Sequence, residues 1–364
     1  MPNPETIAFF NSNASWGGGE KWHFDIATRL MQRGHRVIFF VQKDGELHRH
    51  VRDKGILHEA VRVNNYSFVN PFRIVQLTRL FRKHRIASVI LNLPSDAKVA
   101  GLAARRAGIP KIIYRRGTAL PVHNNFVNRM LFRRVITHIV TNSEATKKLL
   151  LERNPGMVDE KKIHVIYNGL DLEQYDQLPA QPVYQAQEGE LLLGNAGRFV
   201  EQKGHQYLLE TAQKLKNQHI PFKLLLAGDG KLESSIRQQV TKEGLEEHIL
   251  FTGFQSNIRS FMESVDLFLL TSLWEGFGYV IAEAMAAQKP VLAFNLSSNP
   301  EIIDDGTNGY LVPFGDTDQL TQRIIYLYKN PNLRQQLGQQ ARLTVERRFD
   351  ITRTVEEIEQ LLKA

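Results

Sequence analysis

The strongest constraint on the fold is a rhythm that occurs twice. Short apolar runs alternate with amphipathic stretches of helical period from Ile7 to Thr141, and again from Leu191 to Ala293. A helix between two strands returns the chain to the edge it started from, so such alternation builds parallel, doubly wound sheets. In the first series strands are predicted at Ile7–Phe10, Val37–Val41, Ser88–Leu91, Lys111–Tyr114 and His138–Thr141. Helices are predicted at about Lys21–Arg33, Arg73–His84 and Ala97–Ala107. In the second, strands are predicted at Leu191–Ala196, Lys223–Ala227, Ile249–Thr252, Leu267–Leu270 and Pro290–Ala293. Helices at Gly204–Lys216, Lys231–Glu243, Ile258–Ser264 and Val280–Ala287 separate them, and the chain from Asp318 onward is helical. Glu173–Glu190 breaks the rhythm with Pro179, Pro182 and several glutamines, and reads as a linker.

The expected architecture is therefore α/β, with two Rossmann-like domains facing across a cleft. Residues 1–172 form the first domain, 173–189 the linker, 190–345 the second domain and 346–364 a C-terminal helix. A length of 364 residues suits two domains. In such sheets ligands bind at the carboxyl ends of the strands, which directs attention to the strand-to-helix loops.

Composition removes several kinds of chemistry. There is no cysteine, so disulfides, thiolate metal sites and cysteine nucleophiles are excluded. The stretch MPNPETIAFFNSN has no basic segment followed by an apolar run, and no run of about 18 apolar residues occurs, so a cytoplasmic protein is expected. The net charge of +8 is unevenly spread: up to Leu172 there are 28 Lys and Arg against 13 Asp and Glu, and the remainder is acidic. A basic half points to an anionic partner. Candidates are a phosphorylated acceptor, the inner face of an anionic membrane, or nucleic acid. The last is disfavoured by the acidic second half and by the lack of aromatics interleaved with basic residues on a sheet.

Three loops carry the candidate chemistry. In TSLWEGFGYVIAEAMAAQKPV, Glu275 and Glu283 stand eight apart with Gly276 and Gly278 between them, and a helix begins near Tyr279. Glycines admit a close ligand, free amides at a helix start attract phosphate, and two carboxylates can each hold a sugar ring. Glu283 lies in the apolar run AEAMAA, so burial with a partner is expected. In GRFVEQKGHQYLL, Arg198 and Lys203 follow the first strand of the second half; two cations there suit a diphosphate, although surface ion pairs are the bland alternative. In NASWGGGEKWHFD, Gly17, Gly18 and Gly19 form a strand-to-helix turn that matches neither the dinucleotide nor the P-loop pattern.

Together with TNSEATKKLL, VIYNGLD, LLLAGDG, ILFTGF and NPEIIDDGTNGYLV, these motifs follow the order found in the retaining glycosyltransferases of GT-B fold, and nearly the whole chain resembles their family 4. The resemblance implies transfer of a sugar from a UDP- or GDP-linked donor to a glycan, lipid or lipopolysaccharide-type acceptor, without metal or cofactor. It implies that Arg198 and Lys203 bind the diphosphate, Glu275 the donor sugar hydroxyls and Glu283 the ribose. Phe277, Gly278 and Tyr279 would meet phosphate and sugar through their backbone, and Phe254 would lie beside the base. The leaving phosphate would help to deprotonate the acceptor, with no enzyme nucleophile, and the C-terminal helix would pack back on the first domain. Two departures stand out. Where many relatives carry a histidine, this chain has Arg115 and Arg116, with His123 further on; these three are placed on the acceptor side. Where relatives have a glycine pair before NPEII, it has Ser297 and Ser298. A nucleotide-sugar binder without catalysis, or an enzyme of other donor chemistry such as an epimerase, are the alternatives.

Two further signals have ordinary explanations. Asp316-x-Asp318 has metal-ligand spacing, yet it precedes a helix that Asp318 can cap, and no histidine shows ligand spacing. The basic amphipathic stretch Arg73–Arg85, with a second cluster at Asn128–Val135, suits either an anionic lipid surface or a core-facing helix with a solvated back.

Overall fold

Thr6–Asn11, buried at every position, is the strand from which the first sheet grows. The computed structural model describes residues 6–363; Met1–Glu5, on which part of the leader reading rests, and Ala364 lie outside them. The chain divides into two compact units.

In the first unit the order is β1 (Thr6–Asn11), α1 (Gly18–Gln32), β2 (Arg36–Gln42), α2 (Glu46–Asp53), β3 (His58–Val61), α3 (Pro71–Lys83) and β4 (Ile86–Leu91). It continues with α4 (Pro94–Ala107), β5 (Lys111–Arg116), α5 (Phe126–Met130), β6 (His138–Thr141), α6 (Glu144–Glu152) and β7 (Ile163–Val165). The strands pair in parallel in the order β3-β2-β1-β4-β5-β6-β7. The direction of winding reverses between β1 and β4, which opens a crevice at their carboxyl ends. Phe10, Phe40 and Phe81 pack on one face of this sheet, the first two stacked at 5.7 Å.

The second unit runs through α7 (Leu172–Gln177), β8 (Leu191–Ala196), α8 (His205–Asn217), β9 (Phe222–Ala227), α9 (Glu233–Lys242), β10 (Ile249–Gly253), α10 (Ile258–Glu263) and β11 (Leu267–Leu270). It ends with α11 (Tyr279–Ala286), β12 (Val291–Phe294), α12 (Asn299–Ile302), β13 (Gly309–Val312), α13 (Thr317–Lys329) and α14 (Pro331–Arg348). Its parallel order, β10-β9-β8-β11-β12-β13, places the reversal between β8 and β11.

The last helix, α15 (Ile351–Lys363), returns to the first unit, whose chain otherwise ends at Asn168. It buries Ile351, Val355 and Ile358. Thr354 donates to the Tyr167 carbonyl at 2.9 Å, and Glu359 receives Arg33 at 2.8 Å and His35 at 2.7 Å.

The fold class is as expected, with parallel α/β sheets in both halves. The boundaries differ from expectation. The units part at Asn168, and α14 runs to Arg348, so the returning segment begins at Ile351 and not at 346. The stretch expected as a linker opens with α7 and is held to the second unit. The Asp176 carboxylate accepts both Arg342 amines at 2.8 and 2.7 Å, and the Pro179 carbonyl accepts Asn257 at 2.8 Å. Asp316, not Asp318, caps α13 by accepting the Gln319 amide at 2.8 Å, and Asp318 pairs with Lys214 at 2.7 Å. The reason is that the side chain able to reach the third helical amide belongs to the residue before the first turn.

Candidate active-site residues

The reversal point of the second sheet gathers three of the expected residues or their partners. β8 leads into Gly197 and Arg198, and a short 3-10 turn, Glu201–Lys203, follows. β11 is followed by Thr271 and Ser272 and leads to Glu275. The two loops are tied together by backbone groups. The Leu273 amide donates to the Gln202 carbonyl at 2.7 Å, Gln202 donates to the Trp274 carbonyl at 2.8 Å, and the Thr271 hydroxyl donates to the Gly204 carbonyl at 3.1 Å. Gly204 is what lets them meet. Its φ is +60°, and a Cβ there would lie 2.2 Å from the Thr271 carbonyl oxygen.

Across this junction Lys203 Nζ contacts Glu275 Oε1 at 2.5 Å, and Ser272 Oγ donates to the same oxygen at 2.8 Å. Glu275 is 6% exposed, so its charge has left bulk water and depends on these two donors. Both donors engage Oε1, which leaves Oε2 to receive hydroxyl groups from a ligand. Ser298, fully buried, donates to the Glu275 carbonyl at 3.4 Å and so steadies the loop from the other side. The Arg198 guanidinium is exposed and has no hydrogen-bond or ion-pair partner among the described residues. A paired cation and a solvent-exposed one thus stand at the same sheet edge.

Gly278 precedes α11 with φ +74°, and the amides of the first turn begin at Tyr279. Phe277 is buried and packs edge-on against Phe349 at 5.4 Å and Tyr279 at 5.8 Å, which anchors the loop between Glu275 and α11. Glu283 differs from expectation: it is half-buried rather than enclosed, because it lies on the side of α11 away from Ile281, Ala282, Ala284 and Met285. Its backbone carbonyl accepts the Tyr175 hydroxyl at 3.0 Å. Phe254, just past β10, is 70% exposed.

In the first unit, Gly17 caps α1 and Gly18 and Gly19 form its first turn. Glu20, beside them, is buried and accepts Asn11 from β1 and Asn92 from beyond β4, both at 3.1 Å, so it spans that sheet's reversal point. Arg115 and Arg116, at the end of β5, are buried at 4% and 6% exposure. Arg115 donates to Asn92 at 3.4 Å and Asn168 at 3.1 Å and lies 4.8 Å over the Trp22 ring. Arg116 donates to the Leu120 carbonyl. Both side chains are committed to the interior, where expectation had them facing an acceptor. His123 is exposed in an irregular loop, and its carbonyl accepts Asn128 at 2.7 Å.

Several residues that shape these edges were not singled out from sequence. Ser272 lies inside a quoted motif, but a hydroxyl gives no spacing signal. Asp96 is fully buried and accepts the amides of Leu93 at 3.0 Å and Ser12 at 3.3 Å together with the Ser12 hydroxyl. Burial pushes its carboxyl up to about 7, opposed by those hydrogen bonds and aided by the Glu20 charge. His23, also fully buried, is held well below its usual range by burial and by Arg115. The signal for Asp96 was present: an acid at the third helical position after Pro94 is a frequent reach-back cap.

With this geometry in hand, comparison with known proteins is informative. Residues 177–344 match the family described as glycosyl transferases group 1, and residues 16–174 match glycosyltransferase family 4. N-acetyl-alpha-D-glucosaminyl L-malate synthase of Bacillus anthracis is 28% identical, over 95% of this chain and 94% of that protein. UDP-Gal:alpha-D-GlcNAc-diphosphoundecaprenol alpha-1,3-galactosyltransferase of Escherichia coli is 24% identical, over 82% of this chain and 80% of that protein. Some relatives of 32% and 33% identity are matched over only 54% to 65% of their own length. The crystal structure of HepE from Anabaena in complex with UDP and glucose shares the fold, with a TM-score of 0.82 at 22% identity over 98% of this chain and 99% of that one.

Proposed function

The chain belongs to the group 1 glycosyltransferases of GT-B fold, and on that premise we propose that it transfers a sugar from a nucleoside-diphosphate donor to a glycan or lipid-linked acceptor, with retention and without metal. The observation that carries the finer reading is the Lys203–Glu275 contact at the reversal point of the second sheet. One side chain there matches a departing phosphate in charge and the other accepts sugar hydroxyls, so diphosphate and sugar have adjoining places. Relatives named for UDP-Gal, or crystallised with UDP, make UDP sugars the first donors to test, with GDP sugars beside them.

In the proposed reaction the bond between the anomeric carbon and the β-phosphate oxygen breaks. The acceptor oxygen bonds to that carbon on the same face, and its proton passes to the leaving phosphate oxygen. Arg198, Lys203 and the amides from Tyr279 onward offset the charge that grows on the diphosphate. Glu275 Oε2 orients the sugar, Phe254 lies against the base and Glu283 holds the ribose. Because two cations perform the neutralisation, turnover needs neither metal nor cofactor.

A thermal-shift panel of UDP and GDP sugars in chelator tests the donor half. A ligand at 100 times its Kd stabilises by about 2.7 kcal/mol. Product NMR then tests retention. No shift with any nucleotide sugar, a shift only on adding a divalent metal, or an inverted anomer would each overturn the corresponding part.

A further inference from the structure

We propose that the face of the first unit formed by α3, α4 and residues 131–135 docks on an anionic lipid bilayer, with Tyr66, Val69 and Phe72 entering the headgroup layer. Between Glu59 and Glu144 the chain has fifteen Lys and Arg and one acid, Asp96. Asp96 is fully buried, so the solvent-facing surface of that whole span carries no carboxylate. The cations are brought together by packing. Arg82 of α3 donates to the Arg106 carbonyl at the end of α4 at 2.9 Å, and Arg105 of α4 donates to the Arg134 carbonyl. The ends of the three segments therefore lie side by side, and their exposed arginines act as one field.

The helix α3 satisfies its core with Leu77, Thr78 and Phe81. Its opposite stripe is Phe72, Gln76, Arg79 and Lys83, spaced at i, i+4, i+7 and i+11 and all exposed. Core packing thus accounts for one stripe and leaves the apolar tip unexplained. Phe72 is 83% exposed, Tyr66 77% and Val69 65%. They are held outward, since Asn70 caps α3 by accepting the Phe72 amide at 3.0 Å, and Phe68 is pinned beneath Lys98 at 5.4 Å. Phe72, Val75 and Leu80 also line a shallow apolar hollow along the helix. Glu59, at the border of the face, is occupied by Lys83 at 3.2 Å and His84 at 2.6 Å.

Duplex nucleic acid bound through its phosphates, or an acidic protein, would use the cations and leave three solvated apolar side chains unused. A bilayer uses both, since apolar residues enter the boundary while cations meet anionic headgroups. The inference is independent of which sugar moves.

Vesicle flotation of the full chain at about 0.15 M salt tests it, comparing neutral phosphatidylcholine with vesicles that also contain phosphatidylglycerol. Binding is expected only to the anionic vesicles. The double variant Arg73→Glu and Arg79→Glu should weaken it more than tenfold, at roughly fivefold for each cation merely removed. Tyr66→Ser with Phe72→Ser should weaken binding without abolishing its salt dependence. Unchanged melting of both variants shows that they fold, whether or not nucleotide sugars bind. Equal binding to neutral vesicles, indifference to both double variants, or retention by duplex DNA with none on vesicles would overturn the proposal.

Discussion

Lys203 and Ser272 share one oxygen of Glu275, and their removal should separate charge from orientation. Lys203→Ala deletes a cation from the diphosphate site and leaves a buried carboxylate with one donor. A loss of about 100-fold in kcat/KM for the donor is expected, with weakened UDP binding by calorimetry. Ser272→Ala keeps the charges and releases only the rotamer, so UDP affinity should hold while sugar turnover falls. Ser272 is in this sense a positioning residue, and equal loss of UDP affinity in both variants would refute that role. Asp96 offers a pH test. Its carboxyl is raised to about 7 from the ordinary carboxylate range near 4, so the neutral form favours the fold below pH 4. That contribution is lost as pH rises through 7. In urea titrations Asp96→Asn should therefore remove a decline in stability between about pH 4 and 7 that the parent retains. The charged members of the site were legible because charge and glycine spacing leave a pattern. The buried ends of Glu20 and Arg115 were not, because their role depends on which strands become neighbours.

At the scale of elements, central strands were legible and three of the four edge strands were not. β1, β8 and β11 are apolar at nearly every position because they are covered on both faces. β3 (HEAV), β7 (IHV) and the polar helix α2 bury too little to leave a periodic trace: α2 encloses only Leu47 and Val51. β13 was hidden within a motif read for its turn residues. The junction at Gly204 is an element-scale device, since one residue allows the turn after β8 to meet the loop after β11. Gly204→Ala should cost roughly 1–3 kcal/mol for the left-handed backbone alone, and more for the clash with the Thr271 carbonyl. Calorimetry should show a lowered Tm, together with loss of UDP binding as the Lys203–Glu275 pair separates. An unshifted Tm would show that the loops can move apart freely.

At the scale of the whole chain, the second unit is one uninterrupted stretch, Gly169–Asp350, while the first is completed by a distant segment. Leu170 donates to the Phe349 carbonyl at 2.8 Å, so the stretch begins and ends with its two strands of chain paired. A fragment spanning 169–350 is expected to melt cooperatively and to retain its UDP response. Removal of everything after Asp350 should leave the first unit with the uncovered seat of Ile351, Val355 and Ile358, and aggregation of that variant, by light scattering, is the expected result. The double rhythm made the two units legible, but nothing in the pattern of α15 says which core it joins; an amphipathic face fits any apolar seat of its width.

The return of α15 also sets an order of events on the ribosome. The helix that closes the first unit is translated only after the entire second unit has emerged, a delay of roughly ten to forty seconds at ordinary elongation rates. During that interval the nascent chain carries an open seam, and the half made first is the half finished last.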